Sequence, residues 1–232
     1  MPETAHELDW DETGQPRSVR FGDQFYSRED GRAECAHVFI AGNGLPARWR
    51  GVAHFHIAEL GFGTGLNLLE TWRQWIALRE PGQHLRFTSF EAYPMAADDM
   101  ERALSAWPEL ATLTHQFLQE WRLSGPDVML ELDSQTNLKV ESGQALERVS
   151  SWGESADAWY LDGFSPARNP EMWSADLMQA VYDHTWPGGS CATYAAAGWV
   201  RRNLAAAGFA VERRPGFGSK REMLRGTKPV AA

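Results

Sequence analysis

The chain has 232 residues, 43% of them hydrophobic and 23% charged, with a formal net charge of −9. That is enough for one domain with a full core, and the balance is that of an ordinary soluble globular protein. Two cysteines, Cys35 and Cys191, exclude a disulfide framework, the acidic start His6–Glu12 excludes a signal peptide, and no apolar run nears the roughly 20 residues that span a bilayer, so a cytoplasmic protein is expected.

Through residue 50, turn formers and short extended pieces predominate. Val38-Phe39-Ile40 ahead of Ala41-Gly42-Asn43-Gly44 reads as a strand and turn, so residues 1–50 are expected to form a small N-terminal β-rich appendage. Residues 51–232 read as the main domain, opening on a core strand, His54–Leu60. A glycine turn follows, and apolar spacing predicts a helix from Leu66 to about Leu78. Leu85–Glu91 alternates as a second strand, and Pro94 favours a helix over Ala96–Ala106 that Pro108 closes. A shorter helix is expected over Leu110–Glu120, then strands over Val128–Leu132 and Leu138–Glu141 and a helix over Gln144–Val149. Ala158–Asp162 is a core strand ending in an acid, with a helix over Ser174–Asp183 beyond it. Pro187-Gly188-Gly189 turns into a strand at Ser190–Tyr194, and a helix over Trp199–Ala207 is capped by Gly208. Phe209–Arg213 and Glu222–Arg225 form a closing pair. This alternation predicts an α/β fold, a mostly parallel sheet with helices on both faces.

The chemistry concentrates where strands end. In Glu59-Leu60-Gly61-Phe62-Gly63-Thr64-Gly65-Leu66-Asn67 a strand runs through glycines into a helix, a turn suited to a nucleotide-like cofactor. Glu59 and Leu66 argue against a dinucleotide, because a carboxylate opposes a pyrophosphate and a leucine replaces the small residue of that fingerprint. A carboxylate there suits a cationic moiety, such as the amino-acid end of S-adenosylmethionine (SAM). Ligands of such sheets lie beyond the carboxyl ends of the strands, where Glu59, Glu91 and Asp162 all fall. Glu91 is placed to accept both hydroxyls of a ribose. Each acid alone could be a cap or a turn former; their joint placement points to a ligand.

Charge is unevenly spread. Residues 198–228 hold eight basic residues, Arg201, Arg202, Arg213, Arg214, Lys220, Arg221, Arg225 and Lys228, against Glu212 and Glu222, a net +6. The preceding 197 residues carry −15. Such a tract is either an electrostatic footprint for phosphate or a solvated, salt-bridged face. If Phe209–Arg213 runs parallel to the core strands, the loop Pro215–Arg221 shares a rim with Asp162, which favours phosphate binding.

Four segments carry a family resemblance: the glycine turn above; Leu161-Asp162-Gly163-Phe164-Ser165-Pro166-Ala167-Arg168-Asn169-Pro170-Glu171-Met172-Trp173; Gly198-Trp199-Val200-Arg201-Arg202; and Gly216-Phe217-Gly218-Ser219-Lys220-Arg221-Glu222-Met223-Leu224. Together they resemble the methyltransferase domain of the bacterial MnmC family of tRNA-modifying enzymes, over about Gly14 to Gly226. The resemblance implies a Rossmann-like class I SAM-dependent methyltransferase acting on 5-aminomethyl-2-thiouridine at the tRNA wobble position. It implies the stand-alone type without a flavin oxidase domain, served by separate oxidase or precursor-making enzymes and needing no metal. By the same resemblance Glu59, Gly61, Gly63, Thr64, Gly65 and Asn67 line the methionine end of SAM, and Glu91 holds the ribose. Asp162 lies by the transferring methyl, and Phe164 is counted with the cofactor site; charge and topology assign Arg168, Arg201, Arg202, Lys220 and Arg221 to tRNA. Where a Gly-Asp pair is expected near the adenine, this chain has Glu141-Ser142, leaving Ser142 as an uncharged acceptor. Phe164, Phe217 or a tryptophan would stack the flipped base. With an ordinary pKa of about 3.9, Asp162 would orient the amine more than deprotonate it. A small-molecule amine methyltransferase would share the cofactor site without the basic rim. A non-catalytic relative would not need all three acids.

Overall fold

The computed structural model describes residues 7–122, 124–125 and 127–230; residues 1–6 of the expected appendage lie outside them. Three short strands, β1 (Leu8–Trp10), β2 (Pro16–Ser18) and β3 (Asp23–Gln24), form a small antiparallel sheet. Asp30 then caps a helix, its carboxylate accepting from Arg32 N and Ala33 N. The helix begins as α1 (Gly31–Glu34) and widens into π-helical turns over Cys35–Ala41. The strand expected at Val38–Ile40 is therefore a helix. All three side chains are buried, Phe39 stacking on Tyr160 at 5.3 Å. A run of consecutive apolar residues does not distinguish a strand from a helix enclosed by core.

The main elements follow in chain order: β4 (His54–Leu60), α2 (Leu66–Leu78), β5 (His84–Glu91), α3 (Ala97–Leu104), α4 (Ala111–Trp121), β6 (Val128–Asp133), β7 (Thr136–Ser142), α5 (Ala145–Ser150), β8 (Ala156–Leu161), α6 (Ala175–Asp183), β9 (Thr185–Thr193), α7 (Gly198–Ala207), β10 (Ala210–Pro215) and β11 (Glu222–Thr227). The large sheet has the order β10-β11-β9-β8-β4-β5-β7-β6. Its centre is parallel, and β6 and β11 run against it. Where a turn was expected, Trp186-Pro187-Gly188-Gly189 bulges within β9, between the pairs Ala156 to Thr185 and Ala158 to Ser190.

Alternate strand residues feed two separate cores. Phe55, Ile57, Phe87 and Tyr160 face α2, α4 and the Cys35–Ala41 helix, while Ala58, Leu60, Phe90 and Trp159 face α5, α6 and α7. The period-2 pattern thus buries the sheet on both faces, which leaves the carboxyl ends of β4, β5, β8 and β9 as its open edge. Because β10 is antiparallel to β11, and β11 to β9, β10 ends on that same edge.

Candidate active site

The turn after β4 requires glycine for stated reasons. Gly61 has φ +86°, and a Cβ there would stand 2.4 Å from the carbonyl oxygen of Asp162. Only a bare backbone lets the ends of β4 and β8 abut. Gly63, at φ +53°, leaves room for the Phe25 ring, which a Cβ would meet at 3.1 Å. Gly65 caps α2 at φ +78°, where a Cβ would meet Phe62, Met100 and Phe117 at 3.3–3.5 Å, and it is not in the cavity lining.

These ends open into a cavity of about 900 Å³, at the upper end of the range for ligand pockets. Gly61, Gly63, Thr64, Asn67, Glu91, Asp162 and Phe164 line it. Asn67 Nδ2 donates to Asp162 Oδ2 at 2.7 Å and to Glu59 Oε1 at 3.0 Å. Glu59 is fully buried behind the lining, with its second oxygen on the Ser89 hydroxyl at 2.8 Å. It has no ion-pair partner among the described residues. Burial pushes its carboxyl well above the usual range, and the nearby Asp162 adds to this. Burial likewise pushes Asp162 up to about 7, opposed by its bond from Asn67. A buried carboxyl and a half-buried one sharing one amide donor form a site short of positive charge. A glycine cradle beside such a site fits a ligand with a cationic end, as SAM has. Glu91 accepts from Gly63 N at 3.0 Å and Tyr93 N at 2.8 Å, which fixes its carboxylate at the mouth.

The opposite wall was not found from the sequence. It is the segment 20–34, which contributes Phe21, Phe25, Tyr26 and Glu34. Phe164 stacks on Phe21 with centroids 4.8 Å apart and meets Phe25 edge-on at 5.2 Å. Asp23 Oδ2 accepts from Ser165 N at 2.8 Å, fastening this wall to the turn that carries Asp162. Its one sequence signal is the group of three aromatics in a segment without periodicity.

Ser142 ends β7 with its N–H on Asp127 and is not in the cavity lining; Gln144–Glu147 are. Phe217 sits 6.1 Å from the His37 ring, also outside the lining. The basic tract divides. Arg213 pairs with Glu222, Arg214 and Arg225 with Glu212, and Lys228 caps the Tyr182 carbonyl. Lys220 turns inward to Glu34. Arg168, Arg201, Arg202 and Arg221 are exposed and form no ion pair among the described residues. Arg201 and Arg202 stand in the first turn of α7, on the cavity's edge of the sheet. Arg168 lies beside Gly22.

No helix among the described residues is long and apolar enough to cross a membrane. A family model described as S-adenosyl-L-methionine-dependent methyltransferase matches residues 108–229. The tRNA 5-methylaminomethyl-2-thiouridine biosynthesis bifunctional protein MnmC of Caulobacter sp. (strain K31) is 43% identical over 244 residues, covering 99% of this chain and 39% of that protein. Its counterpart in Maricaulis maris (strain MCS10) is 41% identical, covering 97% of this chain and 39% of that protein. The chain therefore spans about two fifths of these relatives' length. The solved structure of MNMC2 from Aquifex aeolicus shares the fold, with a TM-score of 0.76 at 24% identity over 100% of this chain and 73% of that one.

Proposed function

The chain belongs to the S-adenosyl-L-methionine-dependent methyltransferase family, and on that premise we propose that it methylates the aminomethyl group of 5-aminomethyl-2-thiouridine at the tRNA wobble position. The product is 5-methylaminomethyl-2-thiouridine, the compound in the names of its MnmC relatives. The observation that carries the reading is Asp162, a carboxyl raised to about 7 on the wall of a cavity short of positive charge.

SAM, when bound, supplies a sulfonium methyl open to in-line displacement. The glycine turn, Asn67 and Glu91 would hold it so that the lone pair of the substrate amine could take the methyl, the electrons of the methyl–sulfur bond going to sulfur. A protonated amine has no lone pair, so a proton must depart first. Asp162 receives it and passes it to water. The sequence favours orientation over full proton abstraction; the raised carboxyl supports proton acceptance. Against an alkylammonium near 10.4, the gap narrows from about six units for an ordinary Asp to about three. Asn67 holds the Asp162 carboxylate in place, and Glu59 holds Asn67. Glu91 is the acceptor for the ribose hydroxyls. Phe164, among Phe21 and Phe25, offers the face on which the flipped base would stack.

The reading includes a cytoplasmic location and other enzymes that prepare the aminomethyl uridine. It assigns the tRNA backbone to Arg201, Arg202 and Arg221, with Arg168 at the margin. Mass analysis of wobble nucleosides after incubating the protein with SAM and hypomodified tRNA tests it. One added methyl on the aminomethyl group is expected. Firm SAM binding without any tRNA methylation would instead favour a small-molecule amine.

A further inference from the structure

We propose that Lys220 is a positioning residue of the transfer reaction, holding Asp162 and its turn for the incoming amine, rather than a phosphate ligand on the rim. The inference rests on the amine-methyltransferase reading above. Lys220 Nζ lies 2.6 Å from Glu34 Oε1 and 3.7 Å from the centre of the Tyr194 ring. The Tyr194 hydroxyl in turn donates to the carbonyl of Gly163, the residue after Asp162, at 2.5 Å. Glu34 is buried, and its other oxygen accepts from Ser27 N at 3.1 Å. Swinging Lys220 out to a phosphate would strand that buried carboxylate, a costly arrangement. The half-exposed cation is therefore held to Glu34 and the Tyr194 ring.

What it does there follows from its neighbours. Asp162 is faced by Glu59 from β4, Asn67 from α2, Glu34 and Cys35 from the α1 helix, Tyr194 beyond β9, and Lys220. Lys220 is the one cation in that set. Burial and the Glu34 charge favour a protonated Asp162, and the bond from Asn67 and the Lys220 charge oppose them. Loss of Lys220 would raise the Asp162 carboxyl further and leave less carboxylate at neutral pH to take the amine's proton. The Lys220–Tyr194–Gly163 chain also fixes the backbone that carries the carboxylate.

The test uses the full chain with Lys220→Met, Lys220→Arg and Glu34→Gln. The Asp162 carboxyl is titrated by carbon-13 NMR, its signal assigned with Asp162→Asn. The midpoint should rise by about one pH unit in Lys220→Met, fall in Glu34→Gln and stay near wild type in Lys220→Arg. Single-turnover methylation of hypomodified tRNA at saturating SAM should show its acid limb moving the same way in each variant. The salt dependence of tRNA affinity should not change. An unmoved midpoint in both Lys220→Met and Glu34→Gln overturns the inference. So does a salt slope flatter by about one unit in Lys220→Met, the mark of a lost phosphate contact. If Lys220→Met does not fold, the direction of the Glu34→Gln shift decides. If the wild type fails to methylate tRNA, the functional reading falls, while the titration still judges Lys220.

Discussion

The strand ends and the basic tract hold charge in opposite ways. At the strand ends, buried Glu59 and half-buried Asp162 are carboxyls with one shared amide donor between them. In the tract, half of the eight cations already have Glu212, Glu222 or the Tyr182 carbonyl as partners. Exposed pairs of that kind contribute little and are screened by salt, whereas carboxyls raised by burial regain their charge when a cationic ligand sits beside them. A count of +6 over residues 198–228 therefore overstates what the tract offers a partner. Two carboxylates at the strand ends offer more than their number suggests.

The sharpest way to break this comparison is Asp162→Ala. Loss of a positioned proton acceptor should lower single-turnover methylation by about 10²–10⁴-fold, with tRNA affinity little changed. SAM affinity should be measured in parallel. A near-normal rate at saturating SAM removes Asp162 from the chemistry.

Next comes the division within the tract. Replacing Arg201, Arg202 and Arg221 together with Ala should flatten the plot of log tRNA affinity against log salt by about two to three units. Replacing the paired Arg213, Arg214 and Arg225 should leave it nearly unchanged. Equal slopes in the two triple variants would mean that pairing does not decide which cations meet tRNA.

Gly63→Val probes the cradle. A β-branched residue resists φ +53° and would press on Phe25. The strain alone, about 1–2 kcal/mol, should weaken SAM binding about five- to thirtyfold. Calorimetry on a folded variant with unchanged affinity would move the cofactor elsewhere.

The smallest effect is a pH dependence. A cationic ligand favours ionised Asp162, so binding below about pH 7 must release a proton. SAM affinity should then rise with pH, about tenfold per unit at most below that value and level above it. A flat profile between pH 6 and 8 would show that the cation does not sense Asp162.

Much of the turn after β4 was legible because the backbone dictates it. Gly61 and Gly63 sit where a side chain would collide, and the acids fall where a parallel sheet opens. The strands announced themselves by alternation between two cores. The wall at residues 20–34 was not legible, since nothing local gives Phe21, Phe25 or Glu34 a role. Their partners lie 140 to 190 residues away, as in the bonds from Ser165 N to Asp23 and from Ser219 N to Glu29. Val38–Ile40 was misread for a related reason: its three apolar side chains are enclosed by α2 and the sheet, and an enclosed helix has no polar face to betray it. Lys220 was placed on the rim because its loop is there. Its inward turn depends on Glu34, which no spacing connects to it.

The bonds from Ser219 N to Glu29 and from Lys220 to Glu34 also set an order of events during synthesis. Residues 20–34 leave the ribosome early and wait for the loop after β10 before their side of the pocket is closed. β11, which threads between β9 and β10, arrives later still. A nascent chain can assemble the β4–α2–β5 region from near neighbours, but the catalytic pocket depends on contacts of long sequence separation. The pocket is thus complete only when residues 20–34 meet residues 219–220, and a chain stalled before residue 219 would leave the wall that holds Phe21 and Phe25 unfinished.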